Sequence, residues 1–253
     1  MEDNRLVLQQ AVAEFIGPFA LVFLGAGSII MTGGQDLVAI ALAHGLALGV
    51  MIAAAGHISG GHYNPAVSIA LAIAGKIEPQ RAVIYVGAQI IGAIAAALCL
   101  VAIFTGDQID AVKLGTPVVG ESFDATAALF AEVILTFFLM FVIFGTAVDQ
   151  RGPKAIAALA IGLTVTADIV AMGAVTGAAM NPARHLGPAL VDGTWGDFWV
   201  WWIGPIVGAA LAAIIFNWVL LDFVGPSDAA RDDEGALVPD QEQPSQRRRR
   251  RRR

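Results

Sequence analysis

Two tripeptides carry the most specific chemistry in this chain: Asn64-Pro65-Ala66 and Asn181-Pro182-Ala183, 117 residues apart. Each opens an apolar stretch, near 64–75 and 181–191, that is about half as long as the roughly 20 residues a membrane crossing takes. A half-length helix inside a membrane leaves its first N–H groups and its positive dipole end without partners. Asn is among the best caps for such an end, and Pro in the first turn has no N–H to lose. If the two ends meet at the midplane, each Asn amide still offers an N–H to a passing solute. A water oxygen that accepts both is turned with its hydrogens along the pore, which interrupts the hydrogen-bonded chain that would carry protons. Two converging positive ends also repel cations. One such tripeptide is a common turn; two, at matching places in half-length segments, are specific.

Three intramembrane charges join them. Arg184 directly follows the second tripeptide, and Glu14 and Glu132 lie 118 residues apart within apolar runs. Charges at that depth are costly and mark function by default. Asp168 is a fourth, with packing against a neighbouring helix or subunit favoured over a place beside Arg184. The one cysteine, Cys99, reads as a small packed side chain. No Cys/His set has metal-ligand spacing, and no nucleophile–base pair or phosphate loop appears. Neither a cofactor nor a metal is expected, and an enzyme has no support.

The elements that must position these residues follow from composition. The 253 residues are 57% hydrophobic and 14% charged, with a mean hydropathy of +0.71, too few charges to clothe a water-facing surface. Six stretches are long enough to cross, at roughly 8–32, 36–55, 81–104, 124–147, 155–174 and 198–222. Ala13-Glu14-Phe15-Ile16 returns as Ala131-Glu132-Val133-Ile134 at nearly the spacing of the tripeptides, so the chain is duplicated. Three spans per half invert the second half relative to the first. The fold class is therefore an all-α membrane protein, with six transmembrane helices and two re-entrant half-helices in inverted three-span repeats. Arg5, Lys76 with Arg81, Arg151 with Lys154, and the C-terminal arginines flank alternate span ends. By the positive-inside rule these ends, and both termini, are cytoplasmic.

The expected organisation is a short N-terminus (1–7), a channel domain (8–222; repeats at about 8–104 and 124–222) and a tail (223–253). The tail is polar and ends in consecutive arginines from Arg247 to Arg253. Its composition cannot bury a core and predicts disorder. A solvated tail with loose attraction to anionic lipid is favoured, and nucleic acid is not an expected partner.

At the two tripeptides the chain resembles the aquaporin family. Gly56-His57-Ile58-Ser59-Gly60-Gly61-His62-Tyr63-Asn64-Pro65-Ala66-Val67 is similar to the family's first signature loop, and Thr176-Gly177-Ala178-Ala179-Met180-Asn181-Pro182-Ala183-Arg184 to its second. The likeness covers about residues 10–222. It implies a homotetramer of six-span subunits, each a passive pore for water and small neutral solutes, set among membrane lipids in the plasma (cell) membrane. It also implies an outer filter of His44, Ile169, Ala178 and Arg184. That set resembles plant vacuolar aquaporins, some of which pass ammonia, and departs from glycerol facilitators, which have Asp where this chain has His185. The resemblance further makes Glu14, Glu132 and His57 loop anchors and places the His62 side chain at the cytoplasmic mouth. The backbone carbonyls of Gly60, Gly61, His62, Gly177, Ala178 and Ala179 become the acceptor ladder. Protonation of His44 on acidification is a candidate gate. The alternatives are a glycerol or urea facilitator and, in another class, a coupled secondary transporter. Beyond the two loop-anchoring carboxylates and Asp168, the spans lack the several intramembrane carboxylates or histidines expected of a coupling site.

Overall fold

The computed structural model describes residues 2–221, with side chains from Arg5 onward. The tail, with its expected disorder and lipid attraction, lies outside the described residues.

All regular structure among the described residues is helical. The first half comprises α1 (Glu2–Thr32), α2 (Leu37–Ser59), the half-helix α3 (Pro65–Ile73) and α4 (Pro79–Ile103). A connection containing the short α5 (Gly106–Asp110) and a 3₁₀ turn (Lys113–Gly115) leads to the second half. There α6 (Ala125–Ile143), α7 (Ala157–Thr176), the half-helix α8 (Pro182–Asp192) and α9 (Val200–Ile215) repeat the order long, long, half, long. α6 and α9 each end in a π turn, Phe144–Val148 and Phe216–Leu220, and the rings of Phe144 and Phe216 lie 5.6 Å apart where these meet.

Six helices are long and apolar enough to cross a membrane, from Arg5–Thr32 to Val200–Leu220. Each matches one sequence-predicted span. Their outward faces stay apolar, as at Leu42, Leu46, Phe130 and Phe138, all exposed, which suits a chain whose solvent is lipid.

Within each half the first and last helices pack together, α1 on α4 and α6 on α9; between the halves α2 packs on α7, α8 on α4 and α3 on α9. Glycine permits the closest approaches. A Cβ on Gly92 would lie 2.2 Å from the Phe15 carbonyl oxygen, and one on Gly208 2.2 Å from that of Val133. These contacts correspond in the two repeats. Gly45 and Gly162 meet in the same way across α2 and α7. Gly49 and Gly204 close further contacts of this kind within the chain, on Ala158 and Glu132. Cys99 is exposed on α4, not packed inside as the sequence suggests.

Candidate functional site

Each half-helix is preceded by a short loop that enters it through left-handed backbone. In the first loop Gly60, Gly61 and Tyr63 have positive φ; in the second Gly177, Ala178 and Met180 do. The two sets correspond at an offset of 117 residues. For a residue with a Cβ this conformation costs about 1–2 kcal/mol, so something must hold it. In both loops that is a buried carboxylate.

Glu14 on α1 accepts four hydrogen bonds: from Ser59 Oγ (2.6 Å), His62 N (2.9 Å), Tyr63 N (2.8 Å) and Gln89 Nε2 (2.7 Å). Glu132 on α6 accepts three: from Thr176 Oγ1 (2.7 Å), Ala179 N (2.9 Å) and Met180 N (2.7 Å). Both side chains are fully buried. An ionised carboxylate is acceptor-only and takes several donors, and charge-assisted bonds of this kind are the strong ones. The hydroxyls close the loops further, since Gly61 N donates to Ser59 Oγ and Ala178 N to Thr176 Oγ1. From the fourth helix of each half an aromatic side chain ties down a loop carbonyl, Tyr85 Oη on Ser59 O (2.9 Å) and Trp201 Nε1 on Thr176 O (3.1 Å).

The half-helix ends meet at the two asparagines. Asn64 Oδ1 caps α3 by accepting from Ala66 N, and Asn181 Oδ1 caps α8 by accepting from Ala183 N and Arg184 N. Each amide spans to the opposite loop, Asn64 Nδ2 donating to Met180 O (2.7 Å) and Asn181 Nδ2 to Tyr63 O (2.8 Å). A primary amide has two N–H donors, so one remains on each asparagine. Both residues line a cavity of about 340 Å³. Pro65 and Pro182 stand at the first helical position, and Ala66 and Ala183 are fully buried behind them.

One end of the cavity carries Arg184. Its guanidinium donates through Nη1 to Gly115 O (2.9 Å) and meets His44 Nε2 through Nη2 (3.0 Å). His44 Nδ1 lies 2.8 Å from Ile40 O. A carbonyl only accepts and a guanidinium only donates, so His44 is the neutral Nδ1–H tautomer with Nε2 accepting. Neither nitrogen is left for a further proton, which removes the basis for a gate at His44. Gly115 reaches Arg184 because the 3₁₀ turn folds inward, with Lys113, Leu114 and Gly115 all at positive φ and Leu114 fully buried. Ala178 lines the cavity beside Arg184. Ile169 is buried in the same apolar cluster, one turn beyond the cavity-lining Val165.

The other end is lined by Lys76, Ile143, Ala147 and Val148. The chain after Val148 is tied by Arg151, which donates to both carboxylate oxygens of Asp149 at 2.6–3.1 Å. These bonds hold the Asp149 carboxyl below its ordinary range. Between the ends, Gly60, Gly61, His62 and Ala179 also line the cavity.

Two sequence expectations, those for His57 and Gly177, are corrected. His57 is exposed on the last turn of α2 and forms no hydrogen bond among the described residues. The anchoring expected of it falls to Ser59, Tyr85 and Gln89, because a helix places residue 59, not 57, on the face toward Glu14. Gly177 lies outside the main cavity and lines a second one, of about 350 Å³, with Gly115, Thr116 and Gly173. Asp168 is buried with Oδ2 unpartnered among the described residues, and the bonds of Arg184 go elsewhere. Sequence reasoning missed Ser59, Thr176, Tyr85 and Trp201, although the repeat offset pairs Ser59 with Thr176. His185 is likewise buried, its ring stacked on Trp201 at 4.3 Å.

Comparisons with known proteins point to one family. Residues 2–216 match the family described as Major intrinsic protein. The chain is 40% identical over 238 residues to Aquaporin TIP4-4 of Zea mays, covering 89% of this chain and 92% of the relative. It is 42% identical over 236 residues to Probable aquaporin TIP3-2 of Arabidopsis thaliana, covering 86% and 85%. Among solved structures, the aquaglyceroporin from Plasmodium falciparum superposes with a TM-score of 0.78 at 28% identity, covering 86% of this chain and all of that one.

Proposed function

The chain belongs to the major intrinsic protein family, the aquaporins, and from that premise we propose that water crosses through the cavity running from Arg184 past both asparagines to Lys76. It is a passive, multi-pass membrane channel and not an enzyme. The observation that carries the route is that one cavity touches Asn64, Asn181 and Arg184 together. Along it, side-chain N–H donors and loop carbonyls exchange hydrogen bonds with a file of water. The asparagine donors and helix N-termini at the middle oppose protons and cations.

Channel function resides in residues 8–222, with the Lys76 end and both termini cytoplasmic and 223–253 as an appended tail. His44, Ile169, Ala178 and Arg184 act as the filter. His44 and Arg184 supply its polar side, and Ile169 and Ala178 its apolar side. A filter with one bulky apolar wall and one small residue admits ammonia beside water. The subunit works as a homotetramer embedded in lipid. Similarity to vacuolar-type relatives does not favour the plasma membrane over an internal one.

A glycerol-facilitating reading draws support from the likeness to the Plasmodium falciparum aquaglyceroporin. The His-Ile-Ala-Arg set and His185 favour water. Stopped-flow light scattering on proteoliposomes separates the two by comparing osmotic water flux with ammonia, urea and glycerol uptake. Fast water with slow glycerol is expected; glycerol entry as fast as water would make the solute the function.

A further inference from the structure

His62 lines the cavity between the asparagines and Lys76, and two residues behind it decide which of its nitrogens faces the pore. Its Nδ1 lies 3.0 Å from Ser68 Oγ on α3. Ser68 is fully buried, and its Oγ also receives Gln89 Nε2 from α4 at 3.0 Å. The orientation of the Gln89 amide is fixed in turn, because the same Nε2 donates to Glu14 Oε2 at 2.7 Å. A carboxylate tied to a hydroxyl and two backbone N–H groups in the first loop can only accept from Gln89.

The direction of every bond in the chain follows. Gln89 donates to Ser68 Oγ, so the Ser68 hydroxyl hydrogen must find another acceptor. Within reach that acceptor is His62 Nδ1. The opposite arrangement, with Nδ1–H donating to Ser68, would leave the hydroxyl hydrogen buried without a partner, which is the costly case. We infer that Ser68 and Gln89 are positioning residues that lock His62 in its Nε2–H tautomer, so that the imidazole presents a fixed hydrogen-bond donor to the pore. Nε2 has no protein partner among the described residues and lies beside Gly60 of the cavity wall, 3.1 Å from where a Cβ on that glycine would stand.

His44 carries the reverse tautomer, with Nδ1–H committed to Ile40 O and Nε2 accepting from Arg184. The two pore histidines are therefore held oppositely, and by opposite means: one by a backbone carbonyl and a cation, the other by a relay that starts at Glu14. A donor at His62 favours solutes that can accept, such as a water oxygen or the lone pair of ammonia. It disfavours ammonium, which only donates. This role rests on the conduction route proposed above.

The test is nitrogen-15 NMR of the imidazoles in the full-length protein, labelled at its four histidines, with the His62 signals identified by their loss in His62→Asn. Wild-type protein should show His62 protonated at Nε2, with Nδ1 shifted as a hydrogen-bond acceptor. Ser68→Ala should move the Nδ1 signal toward the free position and raise the minor tautomer by about tenfold, equivalent to 1.4 kcal/mol. Ser68→Thr, which keeps the hydroxyl, should restore the wild-type spectrum. A wild-type His62 protonated at Nδ1 would overturn the inference. So would an unmoved Nδ1 signal in Ser68→Ala that still elutes as folded protein. Absence of osmotic flux in the wild type would sink the conduction route alone and leave these spectra unchanged.

Discussion

Glu14 and Glu132 hold equivalent loops, yet the surroundings of the two carboxylates have diverged. Around Glu14 the neighbours are polar, with Gln89 supplying a fourth donor and Ser68 passing a bond on to His62. At the corresponding places in the second half stand Pro205, His185 and Ala179, and the polar relay is replaced by a ring stack of His185 on Trp201. The first loop takes its left-handed turn on Gly61 where the second takes it on Ala178. What both halves keep is the backbone path: carboxylate, hydroxyl, aromatic tie and capping asparagine. The difference teaches that the duplicated frame fixes where the half-helices meet. The side chains around it are free to differ, with His62 on the cavity wall from the first loop and Arg184 from the second half-helix.

The largest contrast should come from removing one acceptor on each side. In Glu14→Gln either oxygen that becomes an amide loses two donors, since Oε1 and Oε2 each accept two. In Glu132→Gln the amide can stand at Oε2, which accepts only Met180 N. At about 1.5–3 kcal/mol for each bond to a charged group, Glu14→Gln should be the more damaging. Thermal unfolding in detergent reads this directly, and equal losses would contradict the four-against-three count.

Next come the aromatic ties. Tyr85→Phe removes one hydrogen bond and should cost about 1 kcal/mol. Trp201→Phe also empties part of a fully buried site and unstacks His185, so its loss should be larger. The same melts rank them, and a reversed order would mean that the stack contributes nothing.

The turn residues sharpen the comparison further. Gly61→Ala introduces a left-handed alanine, which costs about 1–2 kcal/mol, and brings its Cβ within 3.1 Å of Gly56 Cα. Ala178→Gly should be near neutral, because relief of strain offsets the greater freedom of the unfolded chain. Similar destabilisation by both would show that the loops are not equivalent.

The smallest effect expected is that of pH. His44 is held at both ring nitrogens and His62 at Nδ1, and the Asp149 carboxyl, held below its ordinary range by Arg151, stays ionised. A group with a depressed value keeps its contribution above the unfolded value, about 4 for Asp, and loses it only as pH falls through the folded one. Osmotic permeability should therefore be flat between pH 5 and 8. A step in that window would show that one of these groups titrates freely.

Much of this was legible in the sequence, for reasons specific to particular residues. Asn-Pro-Ala in a half-length apolar stretch fixes cap, first turn and depth together, so α3 and α8 begin where expected. Buried Glu14 and Glu132 announce themselves because lipid forbids them. Gln89 and Ser68 gave no such signal, since uncharged polar residues in a span are unremarkable until their partners are known. His57 misled because a motif position says nothing of which helix face a side chain occupies. The place of Gly115 beside Arg184 depends on three consecutive left-handed residues, two of them not glycine, which no spacing rule reveals.

The most direct test of the central claim uses the position of Ala178. Ala178→Cys places a thiol on the cavity wall beside Arg184, whereas the native Cys99 is exposed on α4, away from the cavity-lining residues. Osmotic flux through Ala178→Cys proteoliposomes should be blocked by a mercurial and recovered with thiol, while wild-type flux persists under the same treatment. Continued flux through mercurial-treated Ala178→Cys, with its thiol shown to be modified, would mean that water takes another path.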